Sequence, residues 1–154
     1  MADTAQHFLL PGALYAAVEP TLVQTVLGSC VAVCLWDMEH KFGGINHYKL
    51  PLWNGDGLPS PKFGNIAVEK LVERLLDLGS DRRRLVAKVF GGAAVIESTG
   101  GLLNVGERNI EAARALLQEQ RIPIIAGDVG GDVSRKLMFQ TWDNTVLMKK
   151  ARAR

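Results

Sequence analysis

Two residues stand out for the chemistry their types and surroundings allow. In Leu27-Gly28-Ser29-Cys30-Val31 a cysteine lies directly between a glycine turn and a β-branched stretch. A thiol so placed can be exposed at a strand edge while backbone N–H groups of the turn point toward a reacting carbonyl, as covalent acyl transfer requires. His47 is the second, a side chain able to take the thiol proton. Each has a plainer reading. A free cysteine commonly behaves as a small buried hydrophobe, and a strand histidine as a hydrogen-bonded core residue.

The spacing of the two decides for chemistry. Val31 to Asp37 and Phe42 to Leu50 read as strands joined by the short polar link Met38 to Lys41, so an antiparallel hairpin is expected. If Asp37 faces Phe42, His47 lies opposite Ala32 and diagonal to Cys30. A tighter turn puts Cys30 and His47 face to face. Either register places both on one face, because side-chain direction alternates with period two. A neighbouring imidazole is then expected to raise the thiolate fraction of Cys30.

Other candidates carry less. Cys34 shares the parity of Cys30 but lies deeper in an apolar strand, so it reads as core, and C-x-x-x-C is not the usual dithiol spacing. Ser29 does not sit in G-x-S-x-G; with Gly28 it reads as shaping the turn or the oxyanion environment. His7 lies near a terminus expected to be mobile, and His40 in a turn. Gly91-Gly92, Gly100-Gly101 and Gly130-Gly131 match neither nucleotide fingerprint and read as tight turns. No Cys/His spacing suits a metal, and no cofactor is expected.

The elements that must position these residues follow from periodicity. Ala67, Val68, Leu71, Val72, Leu75 and Leu76 define a helix, with Asn65 as a possible N-cap and Gly79 as its stop. A second helix is expected from about Glu107 to Gln120, with Ile110, Ala113, Leu116 and Leu117 on one face. Further strands are expected at Ala13 to Glu19, Leu22 to Val26, Leu85 to Phe90, Ile122 to Ala126, Leu137 to Trp142 and Thr145 to Met148, with Asp143-Asn144 turning the last hairpin. The long loop between Trp53 and Asn65 could border a substrate groove. The expected fold is α/β, a single layered domain over residues 1–154 with its core about 13–150, built as one mixed sheet packed with surface helices.

Composition narrows the class. The chain has 154 residues, 47% hydrophobic and 22% charged, which suits one globular domain with a real core. A formal net charge of +2 gives no electrostatic case for nucleic acid as the main partner, and the basic tail of Lys149, Lys150, Arg152 and Arg154 reads as solvated. No apolar run approaches the ~18 residues of a membrane span. The N-terminus does not read as a signal peptide, so a cytoplasmic protein with free thiols is expected.

The ordered blocks resemble a known family. Leu27 to Leu35, then Gly43-Gly44-Ile45-Asn46-His47 and Leu50-Pro51, look like the signature of the CheD family of chemoreceptor glutamine deamidases. Lys88 to Ala93, Asn104 to Asn109, Asp128 to Gly131 and Arg135-Lys136 continue it, over about residues 15 to 150. The resemblance implies Cys30 as nucleophile and His47 as its partner. It also implies a Thr shortly before the Cys. In family members that Thr can stand one residue further away, where this chain has Gln24; the assignment falls on Thr25, although adjacent strand residues ordinarily point to opposite faces. The implied activity converts Gln side chains of methyl-accepting chemotaxis receptors to Glu through a thioester. A CheC-type phosphatase is an implied partner. The alternatives are a non-catalytic module binding receptor or CheC, and a cysteine amidase or peptidase acting elsewhere.

Overall fold

The computed structural model describes residues 4–94 and 104–152. In chain order the strands are β1 (Ala5–Phe8), β2 (Leu14–Ala17), β3 (Thr21–Leu27), β4 (Val31–Asp37) and β5 (Phe42–Asn46), followed by helix α1 (Gly64–Asp77). Then come β6 (Leu85–Gly91), helix α2 (Val105–Glu119), β7 (Ile124–Val129), β8 (Val133–Gln140) and β9 (Val146–Arg152).

The expected α/β domain is present, but its strands form two sheets instead of one. One has the order β1-β3-β8-β9 and the other β2-β5-β4-β6-β7. Both are mixed, through the parallel pairs β1 with β3 and β6 with β7. The reason lies in β4, where every residue is buried. A strand apolar on both faces must be covered on both. Val31, Val33 and Leu35 pack with Leu71, Leu75, Ile110 and Leu117 of the helices. Ala32, Cys34 and Trp36 pack with Val23, Leu27, Leu137 and Phe139 of the other sheet. The layers are therefore helices, five-stranded sheet, four-stranded sheet.

In β3, Thr21, Val23, Thr25 and Leu27 are buried, whereas Leu22 and Gln24 are half-buried and Val26 is exposed. This alternation is what period two demands of a strand with one covered face. It turns Thr25, and not Gln24, toward the interlayer space.

Several boundaries differ from expectation. Helix α1 starts on Phe63 as N-cap, not Asn65; Asn65 sits in the first turn, where its Oδ1 accepts the Trp53 N–H at 2.8 Å. Gly79 does stop it, at φ 107°, a conformation that favours glycine. Helix α2 begins two residues earlier than Glu107, since the Asn104 side chain accepts the Glu107 N–H at 2.9 Å and donates back to its carboxylate. Residues 5–8 pair with β3, and Lys149, Lys150 and Arg152 extend β9 beyond the expected Met148. Asn144, at φ 67°, turns the β8–β9 hairpin. Gly100-Gly101 and Arg154 lie outside the described residues.

Candidate active site

Cys30 sits at the end of the three-residue link from β3 to β4, and each carbonyl of that link is held. Ala93 N–H donates to the Gly28 carbonyl at 3.0 Å and Gly92 N–H to the Cys30 carbonyl at 2.9 Å. The Asn109 Nδ2 donates to the Ser29 carbonyl at 2.9 Å. Among the described residues no backbone carbonyl accepts the N–H of Gly28, Ser29 or Cys30, and the Cys30 N–H lies close enough to its own sulfur to favour the thiolate. Gly91 and Gly92 are not the tight turn expected of them; they end β6 directly against this link. A Cβ at Gly91 would collide with the Cys30 carbonyl, and its φ of 105° also demands glycine.

The hairpin register is the first of the two expected. Asp37 pairs with Phe42, and the ladder runs to Cys34 opposite Ile45. It opens at Asn46, whose side-chain Oδ1 accepts the Val33 N–H at 2.9 Å. It closes again at the bridge between Val31 and Tyr48. His47 therefore lies opposite Ala32, diagonal to Cys30 and on its face, at a backbone spacing of roughly 7–8 Å. On its other side His47 is pinned to the β2 segment, donating its N–H to the Ala13 carbonyl at 3.1 Å and accepting from Gly12 N–H at 2.7 Å.

The ring is only 1% exposed, and its Nδ1 lies 2.6 Å from the Thr25 hydroxyl. That hydroxyl donates to the Leu9 carbonyl at 2.8 Å. A hydroxyl has one proton to give. With it committed to Leu9, the Thr25 oxygen can only accept, so Nδ1 carries the imidazole proton and Nε2 keeps a lone pair. Nε2 is buried and has no partner among the described residues. The structure thus joins His47 to Thr25 by a hydrogen bond, and Cys30 packs at the edge of the same interlayer cluster.

Electrostatics corrects one expectation. Burial, with a smaller contribution from the Lys49 ammonium, holds the His47 pKa down to about 4, so the ring is neutral near pH 7. Burial also pushes the Cys30 thiol up, against the opposing pull of Lys49 and of its own backbone N–H. A neutral imidazole supplies no charge to stabilise a thiolate, so the resting pair is thiol and imidazole, not the thiolate-rich cysteine expected from the sequence.

The remaining candidates fall elsewhere. Cys34 is fully buried in the core, and burial raises its thiol well above the usual range. His7 stacks on Tyr15 with ring centres 4.4 Å apart, and His40 approaches Asp37 at 3.1 Å. Among the described residues no three His, Cys, Asp or Glu side chains come close enough to share a metal ion. The loop after Trp53 borders a groove of about 870 Å³ lined also by Pro59, Pro61, Ile66 and Ala13. That groove runs along α1 and is lined by neither Cys30 nor His47.

Three participants escaped the sequence reading: the Leu9 carbonyl, Lys49 and Asn109. Of these only Asn109 left a signal, as a polar residue on the otherwise apolar stripe of Gly106, Ile110, Ala113 and Leu117.

The fold is a layered α/β domain in which a hydrogen-bonded histidine and threonine lie between the sheets, beside a cysteine at the edge of the same cluster. The family model for CheD, described as chemotactic sensory transduction, matches residues 51–150. A probable chemoreceptor glutamine deamidase CheD of Trichlorobacter lovleyi is 49% identical over 147 residues, covering 96% of this chain and 91% of its own length. One of the same description from Sulfurimonas denitrificans is 51% identical over 138 residues, 88% of each chain. A third, CheD 1 of Anaeromyxobacter dehalogenans, is 47% identical over 146 residues, 95% of this chain and 85% of its own. This chain belongs to the CheD family. Among the described residues no helix is long and apolar enough to cross a membrane.

Proposed function

We propose that this protein is a chemoreceptor glutamine deamidase that works through a thioester on Cys30. The observation that carries the reading is the Leu9–Thr25–His47 chain of hydrogen bonds, which leaves Nε2 as a base with no partner among the described residues, on the face of Cys30. The family's relatives carry the same activity in their names.

The steps follow from the resting protonation states. As the Cys30 sulfur attacks the side-chain carbonyl carbon of a substrate Gln, Nε2 of His47 takes the thiol proton. Proton transfer must accompany attack, because burial disfavours both a thiolate and an imidazolium alone. The carbonyl oxygen gains the negative charge and is received by the backbone N–H groups of the Gly28, Ser29 and Cys30 turn. The imidazolium then returns its proton to the leaving nitrogen, and ammonia departs with formation of the thioester. Water attacks the thioester with His47 again as base, releasing Glu and the thiol. Gln and water give Glu and ammonia, with no cofactor in the balance. Thr25 acts through His47, holding the tautomer that can accept a proton at Nε2.

The substrate in this reading is the cytoplasmic signalling region of methyl-accepting chemotaxis receptors, met in the cytoplasm, with a CheC-type phosphatase as a second partner. The test is co-incubation with a receptor cytoplasmic fragment, following ammonia and the ~1 Da mass gain that exchange of an amide for an acid brings. Free glutamine is run at matched concentration. Receptor turnover that is lost in Cys30→Ala supports the reading. Equal turnover of free glutamine would make the protein a small-molecule glutaminase, and full activity in Cys30→Ala would remove the mechanism.

A further inference from the structure

Asn109 is fully buried on α2, yet its side chain belongs to neither hydrophobic cluster. Its Nδ2 donates twice, to the Ser29 carbonyl at 2.9 Å and to the Lys49 carbonyl at 3.0 Å. Its own backbone carbonyl accepts the Tyr48 hydroxyl at 2.6 Å. Ser29 immediately precedes Cys30, while Tyr48 and Lys49 immediately follow His47. One helical residue therefore ties together the two segments that carry the proposed nucleophile and base. Its Oδ1 is buried without a partner among the described residues. A buried amide with an unmet oxygen costs stability that an apolar residue would not, so filling space does not explain it. Two otherwise orphaned carbonyls do.

The Ser29 contact has a consequence for chemistry. No peptide bond among the described residues is cis. Across a trans peptide the C=O of one residue and the N–H of the next point in opposite directions. Fixing the Ser29 carbonyl against α2 therefore aims the Cys30 N–H away from the helix. If that peptide flipped, the Ser29 oxygen would take the place of the donor and repel a developing oxyanion.

We propose that Asn109 is a positioning residue for acyl transfer at Cys30, keeping the Cys30 N–H aimed at the substrate oxyanion by holding the Ser29 carbonyl. The proposal rests on Cys30 as nucleophile; it does not depend on which amide is the substrate.

Two reactions at the same sulfur separate positioning from plain structure. Acylation by p-nitrophenyl acetate forms an S–C bond through a tetrahedral oxyanion, expels p-nitrophenolate and passes the thiol proton to His47. Alkylation by iodoacetamide displaces iodide at a saturated carbon and forms no oxyanion. Both rates are read at Cys30 by peptide mass spectrometry in the full chain. For Asn109→Leu, acylation should fall by about 100-fold, the loss typical of one oxyanion donor, while alkylation stays at the wild-type rate. Asn109→Asp keeps the shape but offers no donor while ionised. It should show the same loss at neutral pH and regain acylation as the pH is lowered and its carboxyl becomes a donor.

Circular dichroism and melting establish which variants fold. Wild-type acylation in a folded variant would overturn the proposal, as would an equal fall in both reactions. Loss of the fold in both variants would assign Asn109 to stability alone and overturn it too. A wild-type chain that acylates Cys30 but leaves the receptor fragment unchanged would defeat the deamidase reading and leave this one standing. A wild-type chain in which Cys30 is never acylated would defeat both.

Discussion

Replacing Thr25 by valine isolates the contribution of a single hydroxyl. Valine has nearly the same volume, so at this fully buried position the cost comes from the lost hydroxyl and not from a cavity. Two buried groups lose their partner: the Leu9 carbonyl and the His47 Nδ1–H. Each of the two orphaned groups costs about 1–3 kcal/mol, and the added methyl returns about 1, so a net loss of about 1–5 kcal/mol is expected. In a domain of this size that lowers the melting temperature by roughly 2–20 °C. The effect on rate should be larger. Without Thr25 nothing holds the proton on Nδ1, and an imidazole protonated at Nε2 cannot take the thiol proton. General-base assistance is worth about 10²–10⁴-fold, so kcat for receptor deamidation should fall by about 100-fold or more at a temperature where the variant is folded. Thr25→Ser keeps the hydroxyl and gives up one methyl, costing about 1 kcal/mol of stability with kcat close to wild type. The assay is ammonia release from a receptor fragment, beside thermal melts of all three proteins. A valine variant with wild-type kcat would refute the tautomer argument, and so would a serine variant as slow as valine.

Brief iodoacetamide treatment followed by peptide mapping should label Cys30 well before Cys34, which is fully buried with its thiol raised far above the usual range; equal labelling of the native protein would contradict the layering. In Lys49→Met the Cys30 thiol loses the ammonium that lowers its pKa, so the labelling rate at fixed mildly alkaline pH should drop; an unchanged rate would remove Lys49 from the site. His47 also titrates folding: its pKa is about 4 folded against 6.5 unfolded, so its contribution is complete above about pH 6.5 and is lost as the pH falls toward 4. At about 1.36 kcal/mol per unit that loss approaches about 3 kcal/mol, measurable as a falling denaturant midpoint between pH 7 and 4.5 that flattens in His47→Gln. A midpoint with the same slope in both proteins would show that His47 is not buried neutral.

Strand parity is a local property, and it was readable. The alternation of β4 and the short link after Asp37 placed Cys30 and His47 on one face before any fold was known, and the observed pairing of Asp37 with Phe42 gives that register. The two helices were equally plain, because their apolar stripes repeat within a few residues. What covers a face is not local. Every residue of β4 is buried, but only packing decides that helices take one side and a second sheet the other. The choice between Gln24 and Thr25 waited on that second sheet, since parity says that they face apart without saying which way is inward. The protonation states waited too. An exposed imidazole beside a cysteine would favour the thiolate, and only the near-complete burial of His47 reverses this by penalising the charged form. The groups that set the tautomer and aim the turn, the Leu9 carbonyl and the Asn109 amide, lie 16 residues from Thr25 and 80 from Ser29. No periodicity spans such separations. The sequence determined which side chains could do the chemistry and which faces they share; tertiary packing alone decided which hydrogen bonds and how little water surround them.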